Sequence, residues 1–247
     1  MSRSLHVFLL LYISLFSAAS ALCQGVPIDT SFVRGSVENA LGVYKNIVGA
    51  QIHLHTGSEY YNVAKPYMEG HRYFEAESVE NGSILYDGAW FHDVPMLYDV
   101  VLDEVVIFHQ MNGMLQKLVK QKVSSFVLGN HSFLNLEFDS TSGSSMRPGF
   151  YDVLYSGQVK VLSRRQKDVQ VRTSIHGMEG NYNIIDKFYL RKDGAYYQVK
   201  TKRSILNVLE DEKKRLKKFA RVNKLKFKRQ REYAILSLAQ HYETLKN

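Results

Sequence analysis

The sequence predicts a mainly β chain with an α-helical end, an antiparallel meander forming a barrel or sandwich that is followed by two basic amphipathic helices. Three observations predict it. Short runs rich in Val, Ile, Leu, Tyr and Phe recur between Tyr73 and Val199, on the order of ten of them, at the spacing of an all-β domain. The runs are separated by two-residue turn pairs, Asp87-Gly88, Asn112-Gly113, Ser156-Gly157 and Asp193-Gly194, in which glycine takes a positive φ at no steric cost. No stretch of helical period lies between the runs, so parallel crossovers are excluded, and near Ser204 the period changes.

The elements follow in chain order. Arg3 is the only charge in the first 23 residues, and it precedes an apolar run, Val7 to Phe16, closed by the small residues 17–21. That order is a secretory signal peptide, too short to span a bilayer permanently, with cleavage expected after Ala21 or Cys23. The expected plan is a signal peptide over 1–23, an antiparallel β domain over 24–200 and a two-helix extension over 201–247 packed on it. The mature protein is then exported, to the periplasm, the outer membrane or the medium. Cys23 is the only cysteine, so no intramolecular disulfide forms and stability must come from an ordinary core. Leu22 stands where a lipid-attachment site wants a small residue. Apolar residues make up 45 % of the chain, with 16 Tyr and 13 Phe, which is ample for that core.

Asn39 to Val48 fits a short helix or a strand equally. In the stretch after it, His53 and His55 would share one face of a strand. Two imidazoles at that spacing can ligate a metal ion, but no further ligand pair accompanies them and no metal or cofactor is expected. From Gly82, Ile84 and Tyr86 form one face of a strand, Ala89 to Phe91 folds back on it, and Met96 to Val101 and Val105 to Phe108 supply two more. Met114 to Val119 pairs across Asn112-Gly113. Ser124 to Leu128 and Ser132 to Phe138 make another pair. Ser140 to Gly149 has loop composition. Phe150 to Tyr155 with Val159 to Leu162, and Phe188 to Leu190 with Tyr196 to Val199, are the last hairpins. Leu209, Leu216, Phe219, Ala220 and Asn223 approximate one helical face, with Glu210, Asp211 and Glu212 at its positive end. A second helix is expected from about Arg229 to Leu245, with Ile235, Leu238, Ala239, Tyr242 and Leu245 as its stripe.

The net charge of +8 is not spread evenly. From Gln24 to Val199, 16 Lys and Arg stand against 19 Asp and Glu, whereas from Lys200 onward the count is 15 against 5. The cations most clearly placed for an anionic surface are Lys213, Lys214, Arg215, Lys217, Lys218, Lys228, Arg229 and Arg231. Export argues against nucleic acid as the partner and leaves anionic lipid, lipopolysaccharide or an acidic envelope protein.

Elsewhere the chemistry-bearing residues are few. Asp87, Asp93, Asp99 and Asp103 recur closely enough to bind Ca²⁺ or act as paired carboxylates, although Asp at turns also caps backbone amides. Tyr60, Tyr61 and Trp90, together with Asp87 and Asp99, are the candidate ligand-binding set; Tyr196 and Tyr197 are further aromatics. His71, His92, His109, His131, His176 and His241 are scattered singly. The chain has no Gly-x-Ser-x-Gly, phosphate-binding loop or His-Glu-x-x-His, so no catalytic residue is assigned.

Two stretches carry a resemblance. GHRYFEAESVENGSILYDGAWFHDVPMLYDVVLDEVV and the hairpin with its basic helical tail, FYLRKDGAYYQVK through QHYETL, resemble a group of exported proteins of unknown function from Bacteroidota. The chain departs from that pattern at Arg72, where the group tends to have Pro. The resemblance implies export and a strand-then-helix layout and brings no catalytic residue. Together these features favour a non-enzymatic envelope module that binds a ligand or partner. The alternatives are a secreted hydrolase with an Asp and His site assembled by folding, and a structural or assembly factor that docks through its basic tail.

Overall fold

The computed structural model describes residues 33–37, 39, 52–62, 65–109, 113–138, 146–175 and 177–246. The expected signal peptide with Cys23, most of Asn39 to Val48, Asn112, most of the Ser140 to Gly149 loop, and His176 lie outside the described residues. Residues 51–247 form one compact unit.

Thirteen strands are described: β1 (Met68–Glu69), β2 (Glu80–Tyr86), β3 (Ala89–Asp99), β4 (Glu104–His109), β5 (Met114–Lys117), β6 (Val123–Leu128), β7 (His131–Leu136), β8 (Gly149–Ser156), β9 (Lys160–Arg164), β10 (Lys167–Ser174), β11 (Gly177–Ile184), β12 (Lys187–Lys192) and β13 (Ala195–Val199). Ten form one antiparallel sheet in the order β13-β12-β9-β8-β7-β6-β2-β3-β4-β5. The other three make a small sheet, β1-β11-β10, in which β1 runs parallel to β11. Its two long strands leave the main sheet after β9 and rejoin it at β12. Among the described residues β5 and β13 do not pair with each other, so the large sheet stays open and the expected barrel is not closed.

Local sequence explains the turns. Asp87 and Gly88 have φ of +50° and +81°, and Asp193 and Gly194 repeat those values. Two left-handed residues in succession match the right-handed twist of the flanking strands. Ala89 to Phe91 and the expected strand from Met96 are joined in a single strand, β3, which ends at Asp99, two residues short of the expected Val101. Pro95 is tolerated in it because β3 meets β4 only from Met96 onward, so the proline faces no second ladder. Ile52–Leu54 is a 3-10 turn and not the expected strand, so His53 and His55 do not share a strand face.

Alternation along the strands builds the core. One face of the sheet carries Ile84, Tyr86, Met96, Tyr98, Val105, Ile107, Phe126, Phe133 and Phe150, all buried. Phe126 and Phe133 stack at 4.5 Å, and Tyr98 meets Phe133 edge-on at 5.0 Å, offset and edge-to-face geometries that suit the ring quadrupoles. The same face continues across β9, β12 and β13, under a helical layer in which α1 (Lys202–Val208) and α3 (Arg231–Lys246) meet the strands and α2 (Lys213–Val222) packs on those two helices. Val161, Phe188, Leu190 and Val199 from the sheet pack with Ile205, Leu209, Leu216, Ile235, Leu238 and Tyr242 from the helical layer.

Thr201 caps α1 by accepting from the Ser204 amide, and the Ser204 hydroxyl in turn accepts from the Thr201 amide. The helix expected from Leu209 starts only at Lys213, and α1 precedes it, so three helices stand where two are expected. Leu209 is fully buried with ψ of +47°, and a 3-10 turn, Glu210–Glu212, separates α1 from α2. Asn223 ends α2 exposed instead of joining its buried face.

Candidate functional site

The strand register puts five residues side by side across the sheet: Phe133, Asp152, Ser163, Phe188 and Val199. All five are buried. Apolar residues at this depth need no comment, but Asp152 and Ser163 stand between the aromatic core and the helix-covered core, and a buried carboxylate must be paired.

Its partner comes from the corner where β9 leaves for β10. Arg165 donates from Nε and Nη2 to Asp152 Oδ2 at 2.9 and 2.7 Å. Its Nη1 donates to Asp186 Oδ2 at 2.8 Å and to Glu232 Oε2, on α3, at 2.6 Å. One guanidinium thus ties the sheet, the root of the β10–β11 hairpin and the helical layer together, using the fork geometry a lysine lacks. Burial works against the charged form of Arg165, and the three carboxylates more than offset it, so its pKa lies above the ordinary range. Burial raises the pKa of Asp152, and Arg165 and His131 only partly counter that rise.

His131 completes the cluster at the start of β7. Its Nδ1 lies 2.7 Å from Asp152 Oδ2, and its Nε2 lies 3.2 Å from Glu75 Oε1. Glu75 has φ of +43°, a left-handed conformation that a residue with a long side chain adopts only when its surroundings hold it there. Beside the cluster opens a cleft of about 430 Å³, lined by His71, Phe74, His131, Arg165, Lys167 and Ile184 among others, a size at the lower end for small-molecule sites. Lys167 Nζ donates to the carbonyls of His71 and Tyr73 at 2.8 and 2.6 Å. Burial lowers the pKa of Lys167, and burial together with the Lys167 charge lowers that of His71. Four buried polar atoms in this region, His71 Nδ1, Asp152 Oδ1, Ser163 Oγ and Gln166 Oε1, have no hydrogen-bond partner among the described residues. With every Arg165 nitrogen already bonded to a carboxylate, His71 Nδ1 and Gln166 Oε1, on residues that line the cleft, are what it offers a polar guest.

The ligand-binding set expected from sequence is dispersed. Tyr60 and Asp99 meet, Tyr60 Oη donating to Asp99 Oδ2 at 2.8 Å. Asp99 is fully buried and spent as an anchor: it pairs with Arg72 at 2.8 Å and accepts the Val101 and Leu102 amides at 2.9 and 3.1 Å. Tyr61 is exposed and donates to Glu59. Asp87 pairs with Lys122 at 3.0 Å beside its turn. Trp90 is half exposed and stacks on His92 at the turn end of β3, about 23 Å along the strand from Leu97 in the Tyr60 cluster at the usual strand rise. Asp103 accepts from Tyr98 Oη at 2.7 Å and lies 3.5 Å from Arg164.

The basic residues expected at an anionic surface lie in solvent. Lys213, Lys214, Arg215, Lys217, Lys218, Lys228, Arg229 and Arg231 are all exposed, as are Arg221, Lys224 and Lys226 among them. No acid occurs between Lys213 and Arg231. Only Lys213, on Asn207 at 3.0 Å, and Arg215, on Glu212 at 3.5 Å, have a side-chain partner among the described residues. The opposite side of α2, Leu216 and Ala220, is buried in the core that the helices share with the sheet.

The cluster of Asp152, Arg165, His131 and Glu232 is not among the sites expected from sequence. A signal for it was present: Asp152 interrupts the apolar strand FYDVLY, where a carboxylate is out of place unless a cation meets it. Nothing marks His131 or Glu232, whose meeting depends on the whole fold.

No family model, curated protein or solved structure matches the chain.

Proposed function

We propose that the chain is a non-enzymatic module that works beyond the inner membrane and docks on an anionic lipid surface through α2 and the segment after it. One observation carries this reading: eleven Lys and Arg between Lys213 and Arg231, uninterrupted by any acid, six of them on α2, whose apolar side is already buried in the core, and the rest on the segment after it and at the start of α3. Such a face attaches by charge and does not insert deeply, at roughly 1 kcal/mol per cation near the headgroups. Val222 and Tyr233 are exposed beside the cations and supply interfacial contact. The leader-like first 23 residues, and the resemblance to exported proteins, support a location in the envelope.

Flotation with phosphatidylglycerol-containing and pure phosphatidylcholine vesicles tests it. Binding to the anionic vesicles at low ionic strength that fades as salt is added supports the reading. Equal binding to both, or none to either, defeats it.

A second reading, the hydrolase, draws on His131, whose Nδ1 is oriented by buried Asp152 as a general base would be, beside a cleft. Turnover of chromogenic ester or glycoside substrates that His131→Ala abolishes without unfolding the chain would establish it. Turnover unchanged in that variant, or none at all, removes it.

A further inference from the structure

The hairpin formed by β10 and β11 leaves its apolar side uncovered among the described residues. Side chains of Lys167, Val169, Val171 and Thr173 on β10 share one face with Ile184, Tyr182, Gly180 and Met178 on β11. Val169, Val171, Met178 and Ile184 are all exposed, Ile184 at 72 %. A groove of about 630 Å³ runs along this hairpin and β1. The other face is polar, with Asp168, Gln170 and Arg172 of β10 opposite Asn183, Asn181 and Glu179.

The strand is also an edge. Among the described residues β10 has a neighbour only on its β11 side, and residues 168–173 are exposed without a break. The Ile185 amide donates to the Gln166 carbonyl at 2.9 Å, and the two are directly opposite in the continuing register. Hydrogen-bonded and non-hydrogen-bonded pairs alternate in an antiparallel ladder, so Gln166, Asp168, Gln170 and Arg172 turn their backbone groups toward β11. Lys167, Val169, Val171 and Thr173 therefore turn theirs outward.

We infer that β10 pairs antiparallel with β10 of a second copy of this chain, about a two-fold axis through Gln170. A two-fold allows only registers in which outward-facing residues meet outward-facing residues, which leaves axes at Val169, Gln170 or Val171 near the strand centre. Only the axis at Gln170 sets Asp168 opposite Arg172 of the other copy, and by symmetry does so twice. An axis at Val169 sets Asp168 against Gln170 and Arg172 against Gln166, and one at Val171 sets Asp168 against Ser174 and Arg172 against Gln170. The chosen register also aligns Val169 with Val171 of the other copy on the apolar side. Every outward amide and carbonyl from Lys167 to Thr173 is then bonded. The product is a six-stranded sheet, β1-β11-β10 followed by its symmetry mate, with the open apolar faces of both hairpins merged into one. Charge complementarity selects the second copy as occupant: the strand is its own complement. In each copy Arg172 also pairs with Glu179 at 2.7 Å on the same polar face, so the reversal of one charge must be judged with that contact in view.

The test is made on the purified chain with Cys23 replaced by Ser. Sedimentation equilibrium should show a monomer–dimer equilibrium, and Asp168→Arg should weaken it roughly tenfold by placing like charges opposite each other twice. Reversing all three charges, D168R with R172D and E179R, should restore it, because every opposite-charge pair is then regained. Asp168 and Arg172 are exposed and Glu179 is half-buried at the surface of the hairpin, so thermal melting should stay close to the wild-type temperature. In the same background Gln170→Cys should form a disulfide-linked dimer on mild oxidation, whereas Asp168→Cys should not, since its new thiol would face Arg172 and not its own symmetry mate. A monomer at all concentrations, a dimer indifferent to Asp168→Arg, or equal cross-linking at positions 168 and 170 would overturn the inference.

Discussion

Two hairpins of this molecule carry similar alternation and meet opposite fates. In β12–β13, Phe188, Leu190 and Val199 point under the helical layer and are buried. In β10–β11, Val169, Val171, Met178 and Ile184 make an equally apolar face, and nothing among the described residues covers it. The difference is not one of local propensity, since both are apolar on one side, turn-linked and antiparallel. It lies in where the chain goes next: β13 leads directly into helices that fold back over it, while β10 and β11 project from the sheet and rejoin it at β12. Apolar surface that the fold consumes sets stability, and apolar surface that it leaves over is available for contact with another molecule.

The largest effect in this comparison is expected at the root of the projecting hairpin. Arg165→Met should destabilise by about 3–5 kcal/mol in urea titration, because Asp152 is left buried with its main cation gone. Arg165→Lys should recover little of that, since one ammonium cannot span Asp152, Asp186 and Glu232. Leu190→Ala, in the covered hairpin, should cost about 2–5 kcal/mol by the same measurement, from lost burial and the cavity left behind.

A smaller effect, present at neutral pH and lost in acid, is expected at Asp211, where helix and strand meet. Partial burial pushes its pKa up, but hydrogen bonds from Lys192 at 2.8 Å, Lys246 at 2.7 Å and Tyr242 at 2.7 Å hold it well below the usual carboxylate range. A depressed pKa means that, as pH falls, the folded state takes up its proton later than the unfolded state. The contribution is therefore present above an unfolded pKa of about 3.9 and is lost as pH falls toward the folded value. Asp211→Asn should lower the melting temperature at neutral pH, and the gap to wild type should close below about pH 4. The smallest effect belongs to the uncovered hairpin: Val171→Ala should change stability by no more than about 0.5 kcal/mol, although β10 is a strand as regular as β12.

How much of the molecule is legible in its sequence obeys the same division. The turns at Asp87-Gly88 and Asp193-Gly194 are readable because their chemistry is local, and the alternation of Ile84 and Tyr86 marks a core face that the fold does bury. The break at Leu209 is not readable, since it arises from the pull of the core on one leucine and not from any helix-stopping residue. The strands β10 and β11 escape notice for another reason: KDVQVRTS alternates, but it lacks the large aromatics that mark the others. Among the candidate site residues, the cations from Lys213 to Arg231 are readable because they are contiguous and their exposure follows from charge alone. Tyr60, Trp90, Asp87 and Asp99 suggest a common groove in sequence, yet the fold uses Asp99 and Tyr60 as a buried pair and leaves Trp90 on a distant turn. The Arg165 cluster joins residues up to 101 positions apart, from His131 on β7 to Glu232 on α3, and short-range pattern does not reach that far.

The basic face shows the division within a single helix, with Leu216 in the core and Lys217 and Lys218 beside it in solvent. Flotation of the variant K217E/K218E/R221E with phosphatidylglycerol-containing vesicles, alongside a thermal melt, is the most direct test of whether the charge that the fold leaves unpaired is the charge that the protein uses. The expected result is an unchanged melting temperature with vesicle binding lost at the ionic strength where the wild-type chain floats. A variant that melts like wild type and still floats with it would contradict the account.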